Sequence, residues 1–399
     1  MDHPFPLNSF KIRTQQQIDT IRSLGVEQVR YSPEKSELPP AAECAATTVE
    51  IPAEIKAETP EAIAARQRRD LLANQRTSLQ VCERHFAQAT QTYKHVMETA
   101  YSQPGISHEH AETLIKGFLG EILGEEEAAI RLLSEKAGDK TSLHTINVTV
   151  ISLLLGKACG LSKPEMLDLG IGSLLHDIGK MDLPDRLRWH DEQYTSAERQ
   201  IYQEHVMHGV RLARKMGLSD DVLLIIGQHH EYADGTGYPN RIHAEKMSSL
   251  SRIISIVNRY DNLCNPSNPA IAITPHEAIS QMFALNRSKF HLPTMMLFVR
   301  TMGIYPPGSV VQLTDERFAL VVSVNPTRPI KPWVVIHDPD IPRDEALVIN
   351  LETEPDLGIR RSLKPLQLPK AAYDYLSPCK RLCYFFERGR EVLPSGPTA

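Results

Sequence analysis

The sequence lacks the features of several large protein classes. No stretch of its 399 residues approaches the ~18 to 20 apolar residues of a membrane span, and its start has no basic segment followed by an apolar one. Its 6 cysteines are scattered without a Cys-x-x-Cys pair, so nothing indicates a disulfide framework or a thiolate zinc site. These absences predict a protein without membrane segments, located in the cytoplasm.

Runs of like charge are also missing. Lysine and arginine total 44 against 49 for aspartate and glutamate, which gives a formal net charge of -5. Because no basic run stands out, a nucleic-acid partner is not favoured. Hydrophobic residues make up 41% of the chain, enough to bury at least one sizeable core, so the protein is not disordered as a whole.

Proline, glycine and hydrophobic periodicity divide the chain into segments. We expect a small N-terminal α/β module over residues 1–32 and a flexible linker, rich in Pro, Ala, Glu and Thr, over residues 33–60. A helical connector is expected over residues 61–137, and an almost wholly helical core over residues 138–303. Short β-rich runs then predict a small C-terminal extension over residues 304–399. The predicted fold class is therefore mainly α.

The helical connector begins with a stretch, from Glu61 to Tyr101, that contains neither proline nor glycine. Apolar residues recur there every seven positions, at Leu72, Leu79, Phe86 and Tyr93. This period is typical of a long amphipathic helix. The stripe either packs on the protein's own core or pairs with a second copy in a homodimer, and the few heptads do not choose between these alternatives.

The helical core carries an unusual set of imidazoles and carboxylates on several separate helices. They are His144, His176, Asp177, His205, His229, His230 and Asp261. A single helical histidine is more often structural than a ligand, but adjacent pairs in apolar segments are harder to explain in that way. Burying these groups without partners is unfavourable, whereas a metal uses their lone pairs. The pattern therefore predicts a metal site.

The number of these groups indicates two ions. Five histidines and one firm carboxylate exceed the ligands of a tetrahedral zinc but suit two octahedral ions, with the two oxygens of Asp177 as a bridge. Nitrogen and oxygen ligands favour iron or manganese and leave zinc, cobalt and nickel open. A two-metal site generates hydroxide near neutral pH and stabilises both oxygens of a displacement at phosphorus, so phosphoester hydrolysis is the predicted chemistry.

Three ordered motifs, LLHDIGKMDLPD, EHVMHG and HHEYADGTGYPN, resemble the HD-GYP family of metal-dependent phosphohydrolases. The resemblance runs from about His144 to Pro293. It implies an HD-type helical bundle, a two- or three-metal site, and hydrolysis of the bacterial second messenger cyclic di-GMP to pGpG or GMP by a metal-bound hydroxide. It also implies a bacterial signalling role, with signalling proteins as further partners.

The resemblance implies roles for individual residues. The matching metal ligands are His144, His176, Asp177, His205, His229 and His230, with Asn258 where the family has a carboxylate. Lys180 matches a lysine that meets the substrate phosphate, and helical spacing puts it on the same face as Asp177. These two residues are the predicted catalytic groups. The predicted substrate-binding residues are Lys180, Gly237, Tyr238 and Asp261. Asp261 could instead support the metal ligands from behind or replace one of them.

The chain departs from the family pattern at several positions. Asn258 brings no charge, which weakens the affinity for the second ion. Ser267 and Ala270 stand where many members have substrate-binding cations, Asn147 replaces a common arginine, and Lys140 replaces the glutamate that holds a third metal. We therefore expect two ions per chain. Two alternatives to the enzyme stay open: a non-catalytic receptor or protein-interaction module, and a hydrolase of another nucleotide, which DGTGYP disfavours.

The flanking segments extend the resemblance to one subgroup of the family. The opening DHPFPLN and the following QIDTIRSLGVEQV resemble a small domain of unknown function that often precedes HD-GYP domains. GIYPPGSVVQL and FALVVSVNP resemble the C-terminal extension of the same subgroup. Arg287 or Lys289 is a candidate to compensate for the absent cations, although nothing in the sequence places either residue near the metals.

Overall fold

The computed structural model describes Thr14 and residues 59–124, 128–134, 140–189, 193–324 and 328–388. The predicted N-terminal module and almost all of the predicted linker lie outside these residues. The chain divides into two compact units, Met1–Glu61 and Ala62–Ala399, and the described elements belong almost entirely to the second.

Helices dominate the described residues, which confirms the predicted fold class. They are α1 (Pro60–Thr99), α2 (Pro104–Ile122), α3 (Lys140–Ala158), α4 (Lys163–Leu175), α5 (Ser196–Gln203), α6 (His205–Lys215), α7 (Asp220–Gln228), α8 (Ser249–Cys264), α9 (Pro275–Ala284), α10 (Leu292–Met302) and α11 (Lys370–Leu376). Short 3-10 turns lie at Ile178–Asp182, Asp185–Leu187, Ala244–Lys246, Pro269–Ile271, Arg287–Lys289, Arg343–Glu345 and Pro365–Gln367. None of these helices is long and apolar enough to cross a membrane.

Helix α3 is the centre of the bundle. It packs against α4 and α8, and α4 packs in turn against α2 and α7. A helix that is apolar or small on all sides is expected to be surrounded by other helices. From Ser142 to Gly156 every side chain of α3 is buried except that of His144, which is partly exposed. The core helix therefore opens to solvent at one imidazole.

Helix α4 carries the HD motif at its C-terminal end. Ser162 and Glu165 form a capping box that fixes its start, and Pro164 occupies its first turn. The helix ends at Leu175, and the chain continues into the 3-10 turn Ile178–Asp182. The motif thus lies at a helix end, where side chains reach beyond the helix cylinder.

The C-terminal extension and one strand of the connector form a single antiparallel sheet. Its strands are β1 (Ala128–Leu132), β2 (Val310–Leu313), β3 (Phe318–Ser323), β4 (Trp333–Ile336), β5 (Val348–Asn350), β6 (Ile359–Leu363) and β7 (Tyr384–Arg388). The order is β5-β4-β3-β1-β7, and β2 pairs with both β3 and β6. Leu320 and Val322 face the main core, whereas Ala319 and Val321 face a second apolar cluster, so both faces of β3 are buried. The predicted β-rich extension is confirmed.

Strand β1 corrects the prediction that the connector is wholly helical. It pairs with β3 and β7, and Ile130 lies opposite Phe386. Five residues without clear alternation give little local signal, and the partner strands lie far along the chain. The strand forms because β3 and β7, both in the C-terminal extension, supply its hydrogen-bonding partners.

The second half of α1 packs on the protein's own core. Phe86 and Val96 are fully buried, and Phe86 meets Phe385 edge-on at 6.1 Å between ring centroids. Cys82 donates to the Phe386 carbonyl oxygen at 3.1 Å. These contacts support packing of the apolar stripe on the protein's own core in the second half of α1. A homodimer through α1 stays a prediction.

Phe385 tests whether strand β7 belongs to the core. Its ring is fully buried and lies edge-on to Phe86 and Phe118. Phe385→Ala is expected to lower the free energy of unfolding by about 3 to 5 kcal/mol, because it empties a core site. Leu366→Ala is the control, since Leu366 is 90% exposed and a loss below about 0.5 kcal/mol is expected there. Denaturant unfolding of both variants measures the difference, and equal losses would contradict this packing.

Candidate functional site

The fold brings six of the predicted ligands into one cluster. His144 comes from α3, His176 and Asp177 follow the end of α4, His205 begins α6, and His229 and His230 follow the end of α7. Their ligand atoms form two groups, His144, His176 and Asp177 in one, and Asp177, His205, His229 and His230 in the other. Within each group these atoms lie within 4.8 Å of one another. Asp177 belongs to both.

A glycine lets the HD turn approach helix α6. A Cβ atom on Gly179 would lie 2.0 Å from the carbonyl oxygen of His205 and 2.3 Å from the backbone nitrogen of Gly209. Such distances exclude any side chain, so glycine is required at this position. The close approach brings Asp177 beside His205.

Three imidazoles are held by backbone carbonyls one turn earlier. The Nδ1-to-oxygen distances are 2.7 Å for His176 to Ser173, 2.5 Å for His205 to Tyr202 and 2.7 Å for His229 to Ile226. A carbonyl only accepts, so each Nδ1 carries the hydrogen and each Nε2 presents a lone pair. Burial lowers the pKa of His176 to about 4 and that of His205 to about 3, so both are neutral at pH 7.

His144 is oriented by a buried carboxylate. Its Nδ1 donates to Asp261 Oδ2 at 2.7 Å, and Asp261 Oδ1 accepts from the amides of Asn147 and Asn265 at 2.9 Å each. Asp261 is fully buried and does not line the cavity beside the cluster. The predicted contact between Asp261 and substrate is corrected accordingly: the carboxylate lies behind the imidazole and fixes its tautomer.

The residues fit a metal centre. The Nε2 atoms of His144 and His176 lie 3.3 Å apart, as do those of His205 and His229. With every Nδ1 protonated, each pair opposes two lone pairs, an arrangement that a cation between them stabilises. In addition, Asp177 Oδ1 and His230 Nε2 are buried without a hydrogen-bond partner. Metal ligation accounts for these unsatisfied atoms.

The two oxygens of Asp177 face different groups. Oδ2 lies 3.4 Å from His176 Nε2 and 3.7 Å from His144 Nε2. Oδ1 lies 3.5 Å from His205 Nε2 and 3.6 Å from His229 Nε2. This is the geometry expected of a carboxylate that is shared between two ions.

Lys180 bonds to the shared carboxylate. Its Nζ lies 2.5 Å from Asp177 Oδ2 and 5.4 Å from the centroid of the Tyr202 ring. Burial opposes the charge of the ammonium, but Asp177 outweighs this effect and holds the Lys180 pKa above its usual value. Lys180 therefore carries a positive charge at the edge of the cluster, where it also lines the cavity.

Asn258, the remaining predicted ligand, has a hydrogen-bond partner of its own. It is buried on α8, and its Oδ1 accepts from Asn262 Nδ2 at 2.7 Å. Among the described residues, no hydrogen bond joins Asn258 to the histidines or to Asp177. Its role as a ligand stays a prediction.

The GYP loop covers the cluster on the side of His230. A Cβ atom on Gly237 would lie 2.5 Å from the His230 carbonyl oxygen, so only glycine permits this approach. The Tyr238 ring stacks on His230 at 4.4 Å between centroids. Neither residue lines the cavity, and their contact with substrate stays a prediction.

Glu231 holds this loop in place. Its carboxylate is fully buried and accepts from the backbone N–H groups of Asn240, Arg241 and Ile242 at 2.6, 3.1 and 3.1 Å. The sequence prediction missed this residue, although it directly follows the histidine pair and a buried carboxylate there needs donors. Backbone N–H groups supply them.

A cavity of about 640 Å³ opens beside the cluster, within the range of about 300 to 1,000 Å³ typical of small-molecule sites. His144, Asp177 and Lys180 form part of its wall, together with side chains from α1, α8 and the C-terminal segment. Arg287 and Lys289 do not line it, because they lie over the rings of Phe283 and Tyr232. The structure therefore does not bring either candidate to the wall of this cavity.

Comparison with known proteins agrees with this site. An HD domain matches residues 124–291, and a domain of unknown function, DUF3391, matches residues 1–111. The chain contains an HD domain, and its motifs resemble those of HD-GYP proteins. The HD-GYP motifs LLHDIGK and DGTGYP supply the shared carboxylate and the loop over His230.

Several HD-GYP relatives are named phosphodiesterases. A cyclic di-GMP phosphodiesterase of Pseudomonas aeruginosa is 28% identical over 81% of this chain and 76% of its own length. One of Borreliella burgdorferi is 23% identical over 59% of this chain and 63% of its own length, so the chain spans less than two thirds of that relative. A 3'3'-cGAMP-specific phosphodiesterase of Vibrio cholerae is 31% identical over 32% of this chain and 25% of its own length. Among solved structures, an HDGYP protein of Bdellovibrio bacteriovorus has a TM-score of 0.42 at 20% identity, over 54% of this chain and 69% of that chain.

Asp177 tests the shared ligand. Asp177→Asn is expected to lose most of the bound metal, because an amide replaces the only carboxylate that both groups share among the described residues. His337→Ala is the control, since it removes an imidazole that follows β4 and belongs to neither ligand group. Elemental analysis of both purified variants measures the ions per chain, and unchanged metal content in Asp177→Asn would contradict the bridge.

Glu231 tests the support of the GYP loop. Glu231→Gln replaces one acceptor oxygen by an NH₂ group that faces backbone N–H groups, so we expect a loss of about 1 to 3 kcal/mol in stability. Amide hydrogen exchange at residues 240–242 should accelerate. Glu245→Gln, at an exposed neighbour in the turn Ala244–Lys246, should change neither measurement. Unaltered exchange in Glu231→Gln would contradict this support.

Proposed function

We propose that this protein hydrolyses phosphodiester bonds of cyclic di-GMP to pGpG, GMP or both. The observation that carries the proposal is the pair of ligand groups that share Asp177 on the wall of a cavity of about 640 Å³. The names of the P. aeruginosa and B. burgdorferi relatives support cyclic di-GMP as the substrate. A cyclic dinucleotide suits a cavity that combines apolar, polar and cationic side chains.

The ligands proposed to hold the metal are His144, His176, Asp177, His205, His229 and His230, with iron or manganese favoured and two ions per chain. Such ions would polarise the phosphodiester and lower the pKa of a water molecule. The chain itself orients the imidazoles through the backbone carbonyls and Asp261. Lys180, held charged beside Asp177, is positioned to contact an oxygen of the reacting phosphate.

The receptor alternative has a specific observation in its favour. Asn258 brings no charge, and its side-chain oxygen is already engaged by Asn262. A second ion would then be held weakly, and a two-metal reaction fails when either ion is absent. A protein with the cavity but without full metal occupancy would bind the nucleotide without cleaving it.

A comparison with 3'3'-cGAMP tests the choice of substrate, because some relatives are named for that nucleotide. That nucleotide differs from cyclic di-GMP in one base, so the cavity wall and not the metal centre would discriminate between the two nucleotides.

The remaining proposals are a cytoplasmic location, signalling proteins as partners and a homodimer. Leu72 on α1 is only partly buried, which leaves that position of the helix stripe for a second copy, whereas Leu79 packs against the protein's own core.

Turnover and metal content on the same sample test the proposal. Protein purified without oxygen and loaded with manganese or iron is expected to cleave cyclic di-GMP, with product detected by chromatography. Asn258→Asp is expected to raise metal occupancy, and to raise turnover if occupancy limits the wild type, because a carboxylate attracts a divalent ion more strongly than an amide. The control Asn286→Asp makes the same change of charge outside the cavity.

The outcomes separate enzyme from receptor. Binding of cyclic di-GMP without cleavage, in wild type and in Asn258→Asp with two ions bound, would contradict the enzyme and support the receptor. Cleavage of 3'3'-cGAMP with a higher kcat/KM than cyclic di-GMP would instead reassign the substrate.

A further inference from the structure

The wall of the cavity contains a cation from a distant part of the chain. Arg381 lines it together with Lys180, although the two residues lie about 200 positions apart in the sequence. The cavity is also lined by Ser267, which brings no charge to the segment after α8. The C-terminal segment between α11 and β7 therefore adds a positive charge to the cavity wall.

Two other cations of the cavity, Lys180 and Arg188, already have partners. Lys180 bonds to Asp177 at 2.5 Å, and Arg188 pairs with Asp185 at 3.0 Å. Arg381, by contrast, makes no hydrogen bond, ion pair or ring contact with any residue in the described part of the chain. Its guanidinium carries five N–H donors and a permanent charge, which match a phosphate group.

The backbone beside Arg381 is fixed to the metal-site framework. Leu382 donates its N–H to Asn265 Oδ1 at 2.8 Å, and its carbonyl oxygen accepts from Asn147 Nδ2 at 2.8 Å. Asn147 also accepts from the N–H of Tyr384 at 2.9 Å.

The same two asparagines donate to the Asp261 carboxylate that orients His144. The cluster and the C-terminal segment therefore share a set of buried hydrogen bonds, in which each amide uses both its donor and its acceptor. Such a network fixes the backbone position of Arg381 relative to the metal ligands.

A cyclic dinucleotide has two phosphodiesters, and only one can react at the ligand cluster at a time. The other must lie elsewhere in the same cavity, where its charge needs a partner. We propose that Arg381 binds the phosphodiester that is not being cleaved, and so determines how tightly the cyclic dinucleotide is held. This assignment rests on the proposed function.

The kinetic signature of this role is specific. A group that contacts the non-reacting phosphate stabilises the bound substrate and the transition state alike, so its loss raises KM and leaves kcat unchanged. Loss of one charge-assisted hydrogen bond predicts a rise in KM of about ten-fold for Arg381→Ala. Arg381→Lys keeps the charge but not the two-pronged geometry, so an intermediate KM is expected.

Steady-state kinetics of the metal-loaded protein on cyclic di-GMP test the assignment. The matched control is Arg300→Ala, because Arg300 is exposed at the end of α10 and does not line this cavity. It should leave KM unchanged. Calorimetric titration of the metal-stripped proteins with cyclic di-GMP adds a readout that is independent of metal loading, and Arg381→Ala should bind about ten-fold more weakly there.

The possible results are distinct. An active wild type with the same KM and affinity in Arg381→Ala would overturn this inference and leave the proposed function intact. A fall in kcat at constant KM would also overturn it, since Arg381 would then act on the reacting phosphate. A wild type that neither binds nor cleaves cyclic di-GMP would overturn the inference and the proposed function together. Equal thermal unfolding temperatures of wild type and Arg381→Ala would exclude a fold defect as the cause of a raised KM.

Discussion

The carboxylate of Asp177, which is mostly shielded from solvent, is the constraint on which the site depends. A charge in the middle of a helical bundle is strongly disfavoured unless opposite charge and donors surround it. Lys180 supplies one such charge at 2.5 Å, and two groups of imidazole nitrogens converge on the two carboxylate oxygens. Helices α4 and α7 end beside this carboxylate, and helix α6 begins there.

Much of the surrounding architecture brings elements close enough to share that carboxylate. Gly179 lets the HD turn lie against the backbone of α6, and Gly237 lets the GYP loop lie against the backbone at His230. Backbone carbonyls one turn earlier hold the Nδ1 atoms and so present the Nε2 lone pairs inwards. Packing and hydrogen bonding thus prepare the ligand set, and a cation completes its charge balance.

The C-terminal sheet is part of the same framework. Strand β7 pairs with β1, which precedes the helical core, and the residues before β7 bond to Asn147 and Asn265. These amides support Asp261 and through it His144. The extension is therefore connected to the ligand cluster through a few buried polar groups, and its Arg381 reaches the cavity wall.

The fold class and the ligand cluster were predictable from the sequence, because both depend on local patterns. Continuous apolar segments predicted buried helices, and adjacent pairs such as His176 with Asp177 and His229 with His230 indicated ligands without reference to any partner. The strands from Val310 to Asn350 were predicted for the same reason, since β-branched runs between prolines carry their own signal.

Other features depended on contacts between residues far apart in the chain. Strand β1 has no local pattern of its own and forms only because β3 and β7 offer their edges. Asp261 seemed equally suited to substrate, to metal or to a place behind the ligands, and only its burial behind His144 decided among them. The sequence by itself determined which side chains are able to bind metal and which segments are helical. Tertiary structure alone decided that Arg381 joins the cavity wall and that Arg287 and Lys289 do not, because a side chain's distance from a site is set by packing and not by its position along the chain.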